Sequence, residues 1–430
     1  MELKLQFVNK IKNADIKLNG LTVIAGPNSS GKSTVGRTLF SVIKAIANTE
    51  SIKEESNNED LLRKHTDSFY SRLRGMRRKT TRYNIYDEIP HTGNDFIQQL
   101  RESSNPDQFL SSIAEAISKQ DYVPRQKKLL AEDLENIRIC WNYKEEPAAN
   151  LKTELQYLIE SEFMNTFCSI DSEETMVELK SEGRQRVQFH AQDNSVKRVT
   201  LNSTSFVNDA TYIESPLYIH LVDAITKAKT WREIEGHASF LNMTIVPSHI
   251  KDMVEKIVWS ARKPIDHSTS SMDINKIIGG KLTYDSSTHQ LIYQEGNNRY
   301  TTINVASGIK SLSIIQLLES AKIIGPNRLL IWDEPENHLH PEWQIVFAEK
   351  LVKLAKDGVP ILITTHSPYF LQAIRYNSAR EEMGKFINYY TPEEDDDHLA
   401  TMVDVTRDLN PVFAKLAQPM NQIMDIVDYK

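Results

Sequence analysis

The sequence predicts an α/β protein with a mixed parallel sheet, an antiparallel β lobe and a large, mostly helical insertion. Three observations carry that expectation. Gly26-Pro27-Asn28-Ser29-Ser30-Gly31-Lys32-Ser33 fits the G-x-x-x-x-G-K-[ST] pattern, and it lies between a short apolar strand (Leu21–Ala25) and a helical stretch (Thr34–Ile46). Two further apolar runs, Leu329–Trp332 and Val359–Thr364, have the length and composition of central parallel strands. Residues 175–214 switch to a period of two, as in Val177-Glu178-Leu179 and Val187-Gln188-Phe189, the pattern of antiparallel strands.

Taken in order, residues 1–48 alternate apolar and polar side chains (Leu3, Leu5, Phe7; Ile16, Leu18) before the glycine-containing loop. Residues 49–174 read as the helical insertion. Ser, Asn and Glu dominate 50–60, and basic residues crowd 63–82: Arg63, Lys64, Arg72, Arg74, Arg77, Arg78, Lys79 and Arg82. Apolar stripes such as Leu151, Leu155, Leu158 and Phe163 mark helices within 95–170. Residues 175–280 combine the β lobe with a helical stretch at 218–262. Residues 281–370 hold strands at 281–285, 290–294 and 299–304, a helix from Ser307 to Ile323, and the two apolar strands. Residues 371–430 read as a helical segment (Val403–Leu409, Val412–Ile426), and Glu393-Glu394-Asp395-Asp396-Asp397 as a solvated loop.

With 430 residues the chain has ample core. A net charge of −7 argues against nucleic-acid binding by the whole surface, leaving only a local patch. Cys140 and Cys168 form no C-x-x-C pair and read as buried free thiols of a reducing compartment. No signal-peptide core and no run of membrane-spanning length is present, so the expected setting is cytoplasmic, away from the membrane.

The chemistry-bearing residues fall in four places. In the loop, glycines let backbone N–H groups converge on an anion, and the following helix N-terminus adds partial positive charge. Lys32 would reach the β- and γ-phosphates, and the Ser33 hydroxyl would bind Mg²⁺. The strand Leu329–Trp332 ends in Asp333-Glu334, one carboxylate for Mg²⁺ and one for a general base. His366 follows the strand Ile361–Thr365, on the edge where open sheets bind ligands. Ser307-Gly308 opens a helix, an anion site when other parts support it and otherwise an ordinary cap.

These parts, in this order, resemble the ABC-type ATPases, and within them the SMC-like, RecF-like and OLD-like branch. Asp333-Glu334-Pro335-Glu336-Asn337-His338-Leu339-His340-Pro341 is similar to that branch's extended Walker B and D-loop, and Thr364-Thr365-His366-Ser367-Pro368 to its H-loop. The resemblance covers residues 1–48 and 281–370. It implies ATP held by Gly26 to Thr34, Lys32 on the phosphates, Ser33 and Asp333 on Mg²⁺, Glu334 as base and His366 as γ-phosphate sensor. It also implies that Ser307 and Gly308 act on ATP held by another protomer, giving a homodimer or larger even-numbered assembly. The signature reads Ala-Ser-Gly-Ile-Lys-Ser rather than Leu-Ser-Gly-Gly-Gln, which offers Lys310 as an added phosphate contact. No Q-loop glutamine is assigned.

Only 64 residues follow His366, too few for the Toprim nuclease of OLD proteins, and no heptad repeat suggests an SMC coiled coil. The chain therefore resembles the stand-alone ATPases of bacterial anti-phage defence, such as those of the Septu and PARIS systems. That resemblance implies a separate effector protein, often a nuclease. The alternatives are a RecF-like DNA-repair ATPase acting directly on DNA and a slow nucleotide switch. The stretch 63–82, with Phe69, Tyr70 and Tyr83 available to stack on bases, is the candidate surface for nucleic acid or an acidic partner. A metal site at His338 and His340 has no third ligand at a suitable spacing.

Overall fold

The computed structural model describes residues 1–54, 58–75, 85–120, 122–141, 147–170, 172–203, 207–222, 246–263, 277–285, 288 and 290–418. It divides into two compact units, residues 1–47 with 148–430 and residues 48–147.

In the larger unit, β1 (Glu2–Val8), β2 (Ile11–Lys17) and β3 (Leu21–Ala25) lead into α1 (Lys32–Glu54). The smaller unit contains α2 (Asn58–Gly75), α3 (Gly93–Glu102), α4 (Pro106–Lys119) and α5 (Pro124–Trp141). The larger unit resumes with α6 (Pro147–Phe163), then β4 (Thr175–Ser181), β5 (Arg184–Gln192), β6 (Ser195–Leu201) and β7 (Asp209–Ile213). Next come α7 (Ser248–Ala261), β8 (Lys281–Asp285), β9 (Gln290–Glu295), β10 (Asn298–Thr301) and α8 (Ser307–Ser320). The chain continues through β11 (Arg328–Asp333), α9 (Pro341–Lys356), β12 (Ile361–Thr365), α10 (Pro368–Arg380), β13 (Ile387–Glu394) and β14 (Ala400–Asp404).

Eleven strands form one sheet in the order β6-β5-β4-β1-β2-β14-β13-β3-β12-β11-β7, and β10-β9-β8 form a separate antiparallel sheet. The five strands β13, β3, β12, β11 and β7 run parallel to one another, whereas β14 pairs antiparallel with β13. Alternate side chains of these strands enter two different cores. Leu21, Val23, Trp332 and Ile363 pack with residues of α7 to α10, whereas Ile24, Ile331, Leu362 and Tyr212 pack with residues of α1 and α6. Cover on both faces is what makes the strands read as unbroken apolar runs.

The structure corrects several expectations. The helical unit ends at 147 and not at 174, because Leu151, Leu155, Leu158, Ile159 and Phe163 of α6 belong to the sheet's core. The last strand of the expected antiparallel lobe, β7, pairs parallel with β11. Alternation reports burial, and burial does not encode strand direction. The segment after 370 is not simply helical. It adds β13 and β14 to the sheet, and Val403 pairs with Thr391, while residues 410–418 are helical. Glu393 and Glu394 end β13, so only the latter part of the acidic run is a turn. Of the expected helix at 218–262, residues 216–220 form a short 3₁₀ turn, 223–245 lie outside the described residues, and 248–261 are helical as expected. Cys168 is a half-buried free thiol rather than a buried one, and the Cys140 side chain lies outside the described residues.

Candidate nucleotide site

The glycines of the loop are dictated by close neighbours. Gly31 has φ +83°, and a Cβ there would lie 2.5 Å from Ile11 Cδ1. At Gly26 a Cβ would lie 2.7 Å from the Pro392 ring. Pro392 lies beyond Tyr390, the last β13 residue paired with β3, so its missing N–H breaks no bond to β3 and its ring covers the loop. Lys10, in the turn between β1 and β2, donates to Ser29 O at 2.8 Å. Ser30 Oγ donates to Pro27 O at 2.7 Å.

Lys32 is only 4 % exposed. Its Nζ donates to Pro27 O at 2.6 Å, its single partner among the described residues. Burial lowers its pKa, opposed by the nearby carboxylates Glu334, Asp333 and Glu336. A desolvated ammonium held by one carbonyl, beside a helix N-terminus, fits an incoming phosphate.

The parallel register sets Asp333 beside Thr364 and Thr365 beside Ala25, so the strand carrying His366 lies between the other two site strands. Asp333 is buried and accepts hydrogen bonds from the Thr364 hydroxyl and, at 3.1 Å, from the Tyr212 hydroxyl. Burial raises the Tyr212 pKa well above its ordinary value, so the phenol stays a donor. Gly36 explains how Tyr212 fits: a Cβ there would lie 2.8 Å from Tyr212 Cε2.

Glu334 has φ +49°, and its N–H donates to Thr364 O at 3.1 Å. Its Oε2 accepts from Asn337 Nδ2 at 2.9 Å, and its Oε1 lies 3.2 Å from His366 Nδ1 without an aligned hydrogen bond. Glu336 Oε1 accepts from Thr365 Oγ1 at 2.6 Å, His366 N at 3.0 Å and Ser367 N at 3.2 Å.

Ser307 and Gly308 begin α8 after Ala306, which supplies no side-chain cap. Gly308 packs closely within its own chain: a Cβ there would lie 3.1 Å from both Leu339 Cδ2 and Trp343 Cε3. Among the described residues, no hydrogen bond or ion pair joins Ser307, Gly308 or Lys310 to residues 26–34. Lys310 departs from the expected phosphate contact. It is buried, with Nζ 2.8 Å from His220 Nε2, and desolvation lowers its pKa.

The basic stretch is altered more. Phe69 and Tyr70 are buried in the core of α2 to α5, so neither can stack on a base, and Arg72 pairs with Asp133 at 3.1 Å. Residues 76–84, with Arg77, Arg78, Lys79, Arg82 and Tyr83, lie outside the described residues. His340 caps α9 by accepting from Glu342 N at 3.4 Å. Among the described residues no group of three or more His, Cys, Asp or Glu side chains could hold a metal. Mg²⁺ does not need one, since it binds through one or two carboxylates, a hydroxyl, substrate phosphates and water. Ser33 and Asp333 have the hydroxyl and carboxylate chemistry that such a donor set would need.

Sequence reasoning passed over Tyr212 and Gly36, and gave Glu336 and Asn337, within the stretch likened to the Walker B and D-loop, no role of their own. Only Gly36 carried a signal, being a glycine inside a helix where alanine would be more stable by about 1 kcal/mol.

A phosphate-loop strand, a histidine strand and an Asp-Glu strand lie parallel and adjacent in that order, the arrangement of a P-loop ATPase. The chain belongs to the AAA ATPase domain family, whose model matches residues 9–371. It is similar to an OLD nuclease of Thermus scotoductus, at 30% identity over 112 residues, or 25% of this chain and 21% of that protein. The match thus spans about a fifth of that relative's length. Among solved structures it is similar to an SMC head bound to the C-terminal winged-helix domain of ScpA (10% identity, 95% of this chain and 97% of that one, TM-score 0.42). It is also similar to the SMC head domain from Thermotoga maritima (11%, 94% and 98%, TM-score 0.36). A third is the Pyrococcus furiosus SMC head with an extended coiled coil, bound to the C-terminal domain of ScpA (11%, 99% and 98%, TM-score 0.40). Among the described residues, no helix is long and apolar enough to cross a membrane.

Proposed function

We propose that this chain binds ATP with Mg²⁺ and hydrolyses it at sites completed by a second copy of itself, and that the assembly controls a separate cytoplasmic effector, a nuclease, in anti-phage defence. The observation that carries the ATPase part is the buried Lys32 ammonium, held by one loop carbonyl and near the carboxylates Asp333 and Glu334. Bound Mg²⁺ would neutralise charge developing on the phosphoryl oxygens. Ser33 and Asp333 would hold it, with Tyr212 and Thr364 fixing Asp333. Glu334, oriented by Asn337, would take the proton of the attacking water, and His366 would donate toward the γ-phosphate.

The start of α8 supports the two-copy site. Its first-turn N–H groups lack a side-chain cap, and Ser307 and Gly308 have no bond to the loop of their own chain. A second protomer could place them on the nucleotide. The test is the ATPase rate per protomer across a wide dilution series. The proposal requires the rate to fall on dilution, and a constant rate contradicts it.

The effector part rests on the family resemblance and on the partial similarity to a protein named a nuclease. It requires a nuclease to copurify with the native chain and to change in activity when Lys32 is replaced. Direct action on DNA is the less supported reading, because Phe69 and Tyr70 are core residues.

A further inference from the structure

We infer that Glu336 is a positioning residue for hydrolysis, which sets where His366 stands by gripping the main chain at the end of β12. The inference rests on the ATPase reading above and deepens it.

Glu336 is 4 % exposed, and burial raises its pKa. A buried carboxylate is costly unless donors converge on it. Here three donors converge on one oxygen: the Thr365 hydroxyl and the N–H groups of His366 and Ser367. Those N–H groups are the first two after β12 ends. The other oxygen, Oε2, is buried without a hydrogen-bond partner among the described residues.

The consequences concern the imidazole. His366 Nδ1 lies 3.2 Å from Glu334 Oε1 and 3.6 Å from Glu336 Oε1, aligned with neither. It therefore stands between the base and a second carboxylate. The main-chain grip of Glu336 fixes which of these the ring approaches. Placement errors of about 1 Å at a reacting centre can cost about 100-fold in rate. Glu336 also lies three residues before Leu339, whose side chain packs on Gly308 at the start of α8.

Three variants of the full chain test this. E336A removes the acceptor, E336D keeps the charge but withdraws it by one methylene, and E336Q keeps both the length and an acceptor oxygen. Binding of a fluorescent ATP analogue and kcat are measured for each. E336A and E336D should bind the analogue within about 3-fold of wild type while kcat falls about 10-fold or more, and E336Q should recover most of the rate. In an H366A background, the three substitutions should cost nothing further, because Glu336 acts through His366. Wild-type kcat in folded E336A or E336D overturns the inference, as does a fully additive loss with H366A. Failure of all three variants to fold, E336Q included, assigns Glu336 to stability and also overturns it. A wild-type chain without ATPase activity instead overturns the ATPase reading itself.

Discussion

The two compact units bury different things. In the unit of residues 48–147, the core is hydrocarbon and aromatic: Phe69, Tyr70 and Phe96 meet edge-on or tilted, and Leu110, Ile113 and Leu130 surround them. Among its described residues one ionisable side chain other than tyrosine is buried, Asp133, and it has Arg72 as partner. Among its described residues the larger unit buries Lys32, Glu162, Glu178, His249, Lys256, Lys310, Glu319, Asp333, Glu336 and Lys350. Some are structural pairs, such as Lys350 with Glu319 at 2.7 Å. Near the expected phosphate position, Asp333 and Glu336 accept from particular donors, and Lys32 at the start of α1 donates to a loop carbonyl. Desolvating charge is unfavourable for folding, and the three such groups that meet at one sheet edge, Lys32, Asp333 and Glu336, mark where chemistry outweighs that cost. The expectation is that substitutions in the head change activity more than stability, and substitutions in the helical unit the reverse.

The sharpest contrast comes from K32A. It should reduce nucleotide affinity about 100-fold or more, read by equilibrium binding, with no loss in melting temperature, because the removed ammonium has a single carbonyl partner. In the other unit, F96A should destabilise residues 48–147 by about 3–5 kcal/mol in denaturant titrations while kcat of the folded chain holds. Equal loss of activity and stability in both variants would erase the distinction.

G36A tests the border between stability and chemistry. Helix propensity favours alanine by about 1 kcal/mol, but the added Cβ would lie 2.8 Å from Tyr212 Cε2. Displacing Tyr212 loosens Asp333, so the Mg²⁺ concentration for half-maximal rate should rise several-fold. An unchanged Mg²⁺ dependence would reduce the contact to packing.

The smallest effect concerns pH. The hydrogen bond from His249 holds the Glu214 carboxyl at about 2, below its ordinary 4.5. Burial alone would lower His249, yet its hydrogen bonds to Glu162 and Glu214 outweigh burial and raise it above 6.5. The depressed carboxyl contributes stability above pH 4.5 that fades as pH falls toward 2. The raised imidazole contributes below pH 6.5 and is lost as pH rises through its folded value. The melting temperature should therefore peak between those limits, and H249Q should flatten both limbs.

What could be read from the sequence follows the same division. The loop, Asp333-Glu334 and His366 were legible because phosphate chemistry demands rare residue types at strand ends. Glu336 and Tyr212 were not, because their meaning lies in contacts with Thr365 and Asp333 that only the sheet brings together. β13 and β14 were missed because Pro392 and the acidic run imitate a loop, although Pro392 is paired with Met402. Phe69 and Tyr70 were misread because aromatic residues among arginines look alike on a core face and on a binding face until the neighbouring helices are in place.

The central claim is that each ATP site is shared between two copies of this chain. It is tested most directly by mixing two inactive variants, K32A, which lacks the loop lysine, and S307R, which obstructs the start of α8. Each alone should hydrolyse ATP at background rate, and the mixture should regain activity, because one site in each mixed pair combines an intact Lys32 with an intact Ser307. A mixture as inactive as its parts, or an S307R protein as active as wild type, would contradict the shared site.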